Sequence, residues 1–296
     1  MMMELRNLRA FVEVVRQGGF TQAAKKVFAT QSTVSKAIKQ LEEEIGVPLL
    51  DRIGHRSQPT AAGSIVYQRA LRILAERDNL VAELEALRGL KGGTLRLGLP
   101  PIGSSTLFAP LFAQYRKRYP GIDIRLIEHG SDRLEDLVRA GEIELAASLL
   151  PVADEFEWQD VRREPLSVLV SANHLLAGRR SLDLPALRNL PFILFETGFA
   201  LNRIILEACR RHGFEPTVLA RSSQIDFIVE LAAADLGVGF LPRMIAEQRK
   251  HRSVKRIPLT EPRTDWHMAI IWRRGAFLSH AAKAWLDLLQ QSHACK

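Results

Sequence analysis

Gln31, Ser32, Ser35, Lys36 and Lys39 lie on the side of a short periodic stretch that faces away from its apolar residues. An amide can pair with the edge of adenine through two hydrogen bonds. Hydroxyls can meet bases or phosphates, and an ammonium can reach guanine or a phosphate. Thr30 and Thr33 add two more hydroxyls at the start of the same stretch, where free N–H groups favour phosphate. The three acids of this region, Glu42, Glu43 and Glu44, come about two turns later, where they need not face a polyanion. Gln31 or Ser32 alone would read as ordinary solvated surface. The set gains meaning from the elements around it.

Those elements are helical. Leu8, Phe11, Val12 and Val15 recur at helical spacing, so 5–16 reads as a first helix that ends at Gly18-Gly19. Thr21 suits the N-cap of a short second helix carrying Ala23, Ala24 and Val27. Phe28-Ala29 makes a break. Thr30 caps a third helix, with Val34, Ala37, Ile38, Leu41 and Ile45 as its buried stripe and Gly46 as its stop. The stretch VPLLDRIGHRSQPT follows as a small hairpin, with Arg52, His55 and Arg56 at its polar end. Helix, break and helix behind a leading helix is the helix-turn-helix plan, in which the later helix enters the major groove of duplex DNA. The hairpin becomes a wing lying along the backbone. From Leu5 to Gln40 there are seven Lys/Arg against one acid, Glu13, within a chain of net charge +8. The excess sits where a polyanion would bind.

Thr60 then caps a helix running from Ala61 to about Arg88, about 42 Å at 1.5 Å per residue. Val66, Ile73, Leu80 and Leu87 are spaced by sevens, and Leu84 lies four beyond Leu80, a seam suited to pairing between subunits. The Gly-rich stretch 89–94 marks a boundary. Beyond it strands and helices alternate, which implies α/β architecture with mainly parallel strands.

The stretch FTQAAKKVFATQSTVSKAIKQLEEEIGVPLLDR and the later PTAAG resemble the N-terminal signature of LysR-type transcriptional regulators, almost unbroken from Leu5 to Gly63. Leu50 stands where phenylalanine is usual, His55 where the wing often has arginine, and Pro59 where leucine is common. The resemblance continues over the rest of the chain. It implies a winged helix-turn-helix domain at 1–60, a long linker helix at 61–92 that pairs two subunits, and a two-lobed effector domain of periplasmic-binding-protein type at 93–296. Lobe I would take about 93–165 and 268–296, and lobe II about 166–267. The chain would cross between lobes near 164–167 and near 265–269. The resemblance implies Gln31, Ser32, Ser35 and Lys36 at bases, Thr33 and Lys39 at the DNA backbone, Arg52 and Arg56 in the wing, and homodimers assembling as tetramers on double-stranded promoter DNA.

A two-lobed domain forms its ligand site between the lobes, at strand ends and helix starts where dipoles favour anions. Ser104 and Ser105, Ser131, Thr197, and Ser222 with Ser223 each follow a strand. Phe195, Phe199 and Ile225 can supply apolar wall. Such a set fits a small organic acid as effector, although each hydroxyl alone is an ordinary helix cap. No conspicuous basic residue stands beside Ser104, Ser105 and Ser131 to clamp a carboxylate; Arg203 and Arg221 are candidates without a place, so a neutral or weakly anionic ligand stays open.

Other classes find less support. No Walker loop, GxSxG, GxGxxG after a strand or HExxH is present, and His129, His174, His212 and His267 are scattered, so an enzyme is not expected. The two cysteines, Cys209 and Cys295, have no metal-ligand spacing, and no metal or cofactor is implied. The opening MMMELRNLRAF lacks a signal-peptide pattern and no run is long enough to span a bilayer, so a cytoplasmic protein with no membrane partner is expected.

Overall fold

The structure is a computed structural model that describes residues 3–53, 56–87 and 93–294. The chain divides into two compact units, Met1–Leu90 with Arg139–Glu142, and Lys91–Val138 with Ile143–Lys296.

The first unit begins with three helices, α1 (Leu5–Gln17), α2 (Phe20–Lys26) and α3 (Gln31–Ile45). Helix α2 starts one residue before the expected cap. Gly19 occupies the N-cap position with extended backbone, and Thr21 lies inside the first turn without capping it. Helix α3 begins and ends as the sequence indicates. Thr30 Oγ1 accepts from Thr33 N at 3.2 Å, and Gly46 closes the helix in the left-handed region at φ 83°. Leu8, Phe11, Val14, Val34, Ile38 and Leu41 are buried together, which locks α1 across α3. A hairpin of β1 (Leu50–Ile53) and β2 (Arg56–Pro59) pairs Asp51 with Gln58 and Arg52 with Ser57.

Glu42 is more than an acid kept away from a polyanion. Its Oε1 accepts from Leu49 N at 2.7 Å and Leu50 N at 3.3 Å, tying the end of α3 to the first strand of the wing. Helix α4 (Ala61–Leu87) starts on the other side of that turn. Gly63 N donates to Thr60 Oγ1 at 2.9 Å, and the same hydroxyl donates to Pro48 O. Along α4, Val66, Ala70, Leu71 and Leu74 pack on the unit's own core. Further along, Leu80, Val81 and Leu84 are exposed.

Phe28, between α2 and α3, has φ 54° and is 96% exposed. A side chain in the left-handed region costs roughly 1–2 kcal/mol, and glycine avoids most of that cost. Phe28→Gly is therefore expected to raise the stability of this unit by about 1 kcal/mol. Hydrogen exchange of the α1 and α3 amides measures it.

The second unit holds two sheets. The larger has the order β4-β3-β5-β12-β6, from β3 (Gly93–Leu99), β4 (Ile122–Glu128), β5 (Leu145–Leu149), β6 (Phe156–Glu164) and β12 (Trp266–Arg273). The other has the order β10-β7-β11, from β7 (Leu166–Ser171), β10 (Gly239–Pro242) and β11 (Val254–Pro258). Beside it runs the parallel pair β8 (Phe192–Phe195) and β9 (Val218–Ser222). The helices are α5 (Ser104–Arg118), α6 (Ser131–Ala140), α7 (Ala200–Arg211), α8 (Ile225–Ala233), α9 (Arg243–Gln248) and α10 (His280–Ala294). The pairing is mixed rather than mainly parallel. β3 runs parallel to β4 and β5, but β12 is antiparallel to β5 and β6, and β7 is antiparallel to β10 and β11. Each of these sheets forms the centre of one lobe. β6 passes at Pro165 into β7, and the return runs between Pro258 and Trp266. All of β12 lies in the first sheet.

Candidate nucleic-acid interface and effector cleft

The candidate DNA-binding residues gather at the open side of α3. Gln31, Ser32, Thr33, Lys36 and Lys39 are exposed and Ser35 is half-buried, while Val34, Ile38 and Leu41 point inward. The hydroxyls are already engaged with one another. Thr30 Oγ1 lies 2.9 Å from Ser32 Oγ and 2.8 Å from Thr33 Oγ1. That cluster organises the first turn, and its hydroxyl protons must turn outward to serve DNA. Lys39 Nζ lies 3.6 Å from Glu43, an exposed pair one turn apart that water screens. Gln31 and Lys36 therefore present the least committed polar groups on the face. His55 lies outside the described residues, as do the side chains of Arg52 and Arg56.

Of the residues expected in a subunit seam, Val66 packs on its own unit's core, whereas Ile73, Leu80 and Leu84 are exposed. The side chain of Leu87 lies outside the described residues.

In the second unit the expected ligand residues stand at element ends. Ser104 opens α5 and its hydroxyl donates to Pro100 O; Ser105 beside it is exposed. Ser131 opens α6 and is buried. Thr197 is exposed after β8, and Ser223 is exposed after β9 with Ile225 half-buried behind it. Phe195 and Phe199 are buried, with their rings stacked at 5.4 Å. Among the described residues, hydrogen bonds join the two lobes across the crevice. Asp132 N donates to Gly198 O at 3.1 Å, Thr106 Oγ1 donates to Gln248 Oε1 at 2.8 Å, and Arg203 reaches Pro151 O at 3.4 Å. These bring the start of α6, with Ser131, against the loop that carries Thr197 and Phe199.

Two further side chains bear on this site: Arg221, which the sequence offered without a place, and Asn202, which it did not offer. Arg221 hydrogen-bonds Phe195 O at 3.3 Å, which sets a cation beside the stacked rings. Asn202 is buried, and its side-chain amide accepts from Phe195 N and donates to Phe195 O and Glu196 O. An Asn seven residues beyond a strand carries no recognisable signal. Its role follows only from α7 folding back on β8.

The scattered histidines have structural company. His212 pairs with Glu261 at 2.8 Å and His267 with Asp160 at 2.5 Å. Cys209 is buried in the core, and burial pushes its thiol up to about 11, away from reactivity.

With this geometry in view, comparison with known proteins is direct. Residues 5–64 match the bacterial regulatory helix-turn-helix protein model of the lysR family, and residues 88–294 match the LysR substrate binding domain model. The chain belongs to the LysR family. It is 37% identical over 286 residues to YwbI of Bacillus subtilis, an uncharacterised helix-turn-helix transcriptional regulator, covering 96% of this chain and 95% of that protein. It is 29% identical over 292 residues to GltC of the same organism, a transcriptional dual regulator, covering 98% and 97%. Among solved structures, full-length OxyR from Pseudomonas aeruginosa superposes with TM-score 0.73 at 23% identity over 98% of this chain and 95% of that one. Full-length CbnR in complex with its target DNA gives TM-score 0.64 at 22% identity over 98% and 100%. The LysR-family chain is thus a DNA-binding transcriptional regulator with an effector-binding domain. Among the described residues no helix is long and apolar enough to cross a membrane.

Proposed function

We propose that this regulator reads a specific promoter sequence with the N-terminal half of α3 and that a small organic acid in the crevice between lobes controls it. The observation that supports the first part is the exposed, acid-free opening of α3, with Gln31 and Lys36 uncommitted to intramolecular partners. Gln31, Ser32, Ser35 and Lys36 face bases; Thr30, Thr33 and Lys39 serve the backbone, as do the wing residues Arg52, His55 and Arg56. The second part is supported by Ser131 and Thr197 beside the Phe195–Phe199 stack, with Ser104, Ser105 and Ser223 at other element ends. Arg221 offers a counter-charge to a carboxylate.

The hydrogen bonds across the crevice describe one degree of lobe closure. An effector that favours a different closure shifts that equilibrium by its difference in affinity for the two forms. The exposed apolar seam of Ile73, Leu80 and Leu84 supports pairing of two subunits through α4, and through pairs of dimers a tetramer. Lobe closure passes through that assembly to the spacing or bend imposed on DNA.

The test is selection of bound fragments from the source genome, followed by titration of the selected fragment against unrelated DNA. Gln31→Ala and Lys36→Ala are each expected to lose preference by about 1–3 kcal/mol per base contact. Variants that retain full preference would remove α3 as the reading element.

A further inference from the structure

A groove of about 500 Å³ opens between the start of α1 and the side of α3, lined by Arg6, Asn7, Arg9, Thr33, Lys36 and Gln40 on an apolar floor. No carboxylate lines it among the described residues. Glu4 pairs with Arg6 from outside the groove, while Arg9 and Lys36 have no ion-pair partner among the described residues. At its base lies the Asn7 amide, 1% exposed, whose Nδ2 has no acceptor among the described residues. Three cations, a hydroxyl and two amides around one concavity fit an anion with several acceptor oxygens. Lys36 belongs both to this groove and to the outward face of α3, so whatever lies against that face passes the mouth of the groove.

We infer that the groove is a seat for a phosphate of the DNA backbone, with Arg6 and Arg9 of α1 gripping the strand beside the base pairs read by α3. The inference rests on the proposed reading by α3 and adds α1 as a further contacting element. Arg6 and Arg9 lie one turn apart, so their guanidinium groups fall on one side of α1 and can take neighbouring oxygens. Arginine forks bind phosphate through two parallel hydrogen bonds, and a phosphate oxygen, or a water beneath it, is the acceptor that Asn7 lacks. Such contacts carry no base information and position the protein on the duplex.

The two roles separate in a salt series. Each phosphate contact contributes about 0.9 to the slope of log affinity against log salt on duplex DNA. The full-length Arg6→Gln/Arg9→Gln variant is expected to bind the selected fragment with a slope lower by about 0.9, with its preference over unrelated DNA unchanged. Arg6→Lys/Arg9→Lys, which keeps the charges, is expected to restore the slope. Melting curves of both variants matching wild type exclude a folding defect. A slope equal to wild type in the glutamine variant overturns the phosphate seat, as does loss of preference at an unchanged slope. Failure of the underlying reading looks different: Gln31→Ala would then keep its full preference, whatever the arginine variants do.

Discussion

Gly63→Ala is expected to destabilise the DNA-binding unit by about 3 kcal/mol and to abolish operator binding near its melting range. A Cβ on Gly63 would sit 1.9 Å from Leu49 O and 2.9 Å from Leu49 C. Neither is the end of a flexible side chain. The same carbonyl already accepts from Thr60 N at 3.0 Å, and Leu49 N is held by Glu42, so Leu49 is fixed from both sides. The methyl must push apart the start of α4 and the turn after α3. Overpacking typically costs about 1–3 kcal/mol, and a forced backbone shift puts this site at the upper end. Folded proteins have only about 5–15 kcal/mol to lose. The control is Ala61→Gly, exposed in the same first turn, expected to cost no more than about 1 kcal/mol. All four tryptophans lie in the second unit, at 158, 266, 272 and 285, so tryptophan fluorescence reports that unit alone. The variant is expected to leave the fluorescence transition in place while hydrogen exchange in α1 and α3 accelerates. Exchange rates equal to wild type would show that the turn accommodates the methyl.

Gly63 also shows where the sequence was readable and where it stopped. Thr60 and Gly63 were visible as a spaced motif, and Thr60 as a cap, because a cap is a local event between residues three apart. The approach of Gly63 to Leu49 links two elements across the wing, and no local pattern encodes it. The same contrast runs through the unit. Helices α1 and α3, the Thr30 cap and the Gly46 stop follow from short-range periodicity and end signals. Helix α2 begins at Phe20 rather than after Thr21 because Gly19 takes the cap position. The polar face of α3 was legible as a set, but not that Ser32 and Thr33 turn their hydroxyls to Thr30.

In the second unit β6 and β11 do not stand out in the sequence. β6 reads Phe-Glu-Trp-Gln-Asp-Val-Arg-Arg-Glu and lies at the sheet edge, where few side chains need be apolar. Its pairing with β12 slips at Met268/Ala269, which breaks the alternation that would have marked it. The expectation of mainly parallel strands failed because β12 enters the first sheet from the second and runs against its neighbours. The hydroxyls at strand ends were legible one by one. Which of them face one another depends on the two lobes meeting: the bond from Asp132 N to Gly198 O brings neighbouring Ser131 against the Thr197–Phe199 loop.

Asn202→Leu is expected to cost the second unit about 3 kcal/mol and to weaken effector binding with it. The side chains share their branching and number of non-hydrogen atoms, so the change acts mainly through the lost hydrogen bonds. Asn202 Oδ1 accepts from Phe195 N at 3.1 Å, and Nδ2 donates to Phe195 O at 2.8 Å and Glu196 O at 2.9 Å. Leucine leaves three backbone groups at the end of β8 without these partners. A buried group left unpaired costs about 1–3 kcal/mol, and water can reach the carbonyl of exposed Glu196 but not the buried Phe195 N–H. Asn202→Asp keeps the acceptor for Phe195 N but turns a carboxylate toward two carbonyl oxygens, so it is expected to be no milder than leucine at neutral pH. The urea midpoint of tryptophan fluorescence reads the loss in both variants, while hydrogen exchange in α1 and α3 is expected to stay at wild-type rates. The segment released is the one carrying Thr197 and the Phe195–Phe199 stack, so thermal-shift responses to small carboxylates are expected to fall further than stability alone explains. A leucine variant with a wild-type midpoint would mean that the end of β8 is held by its pairing with β9 and not by this amide.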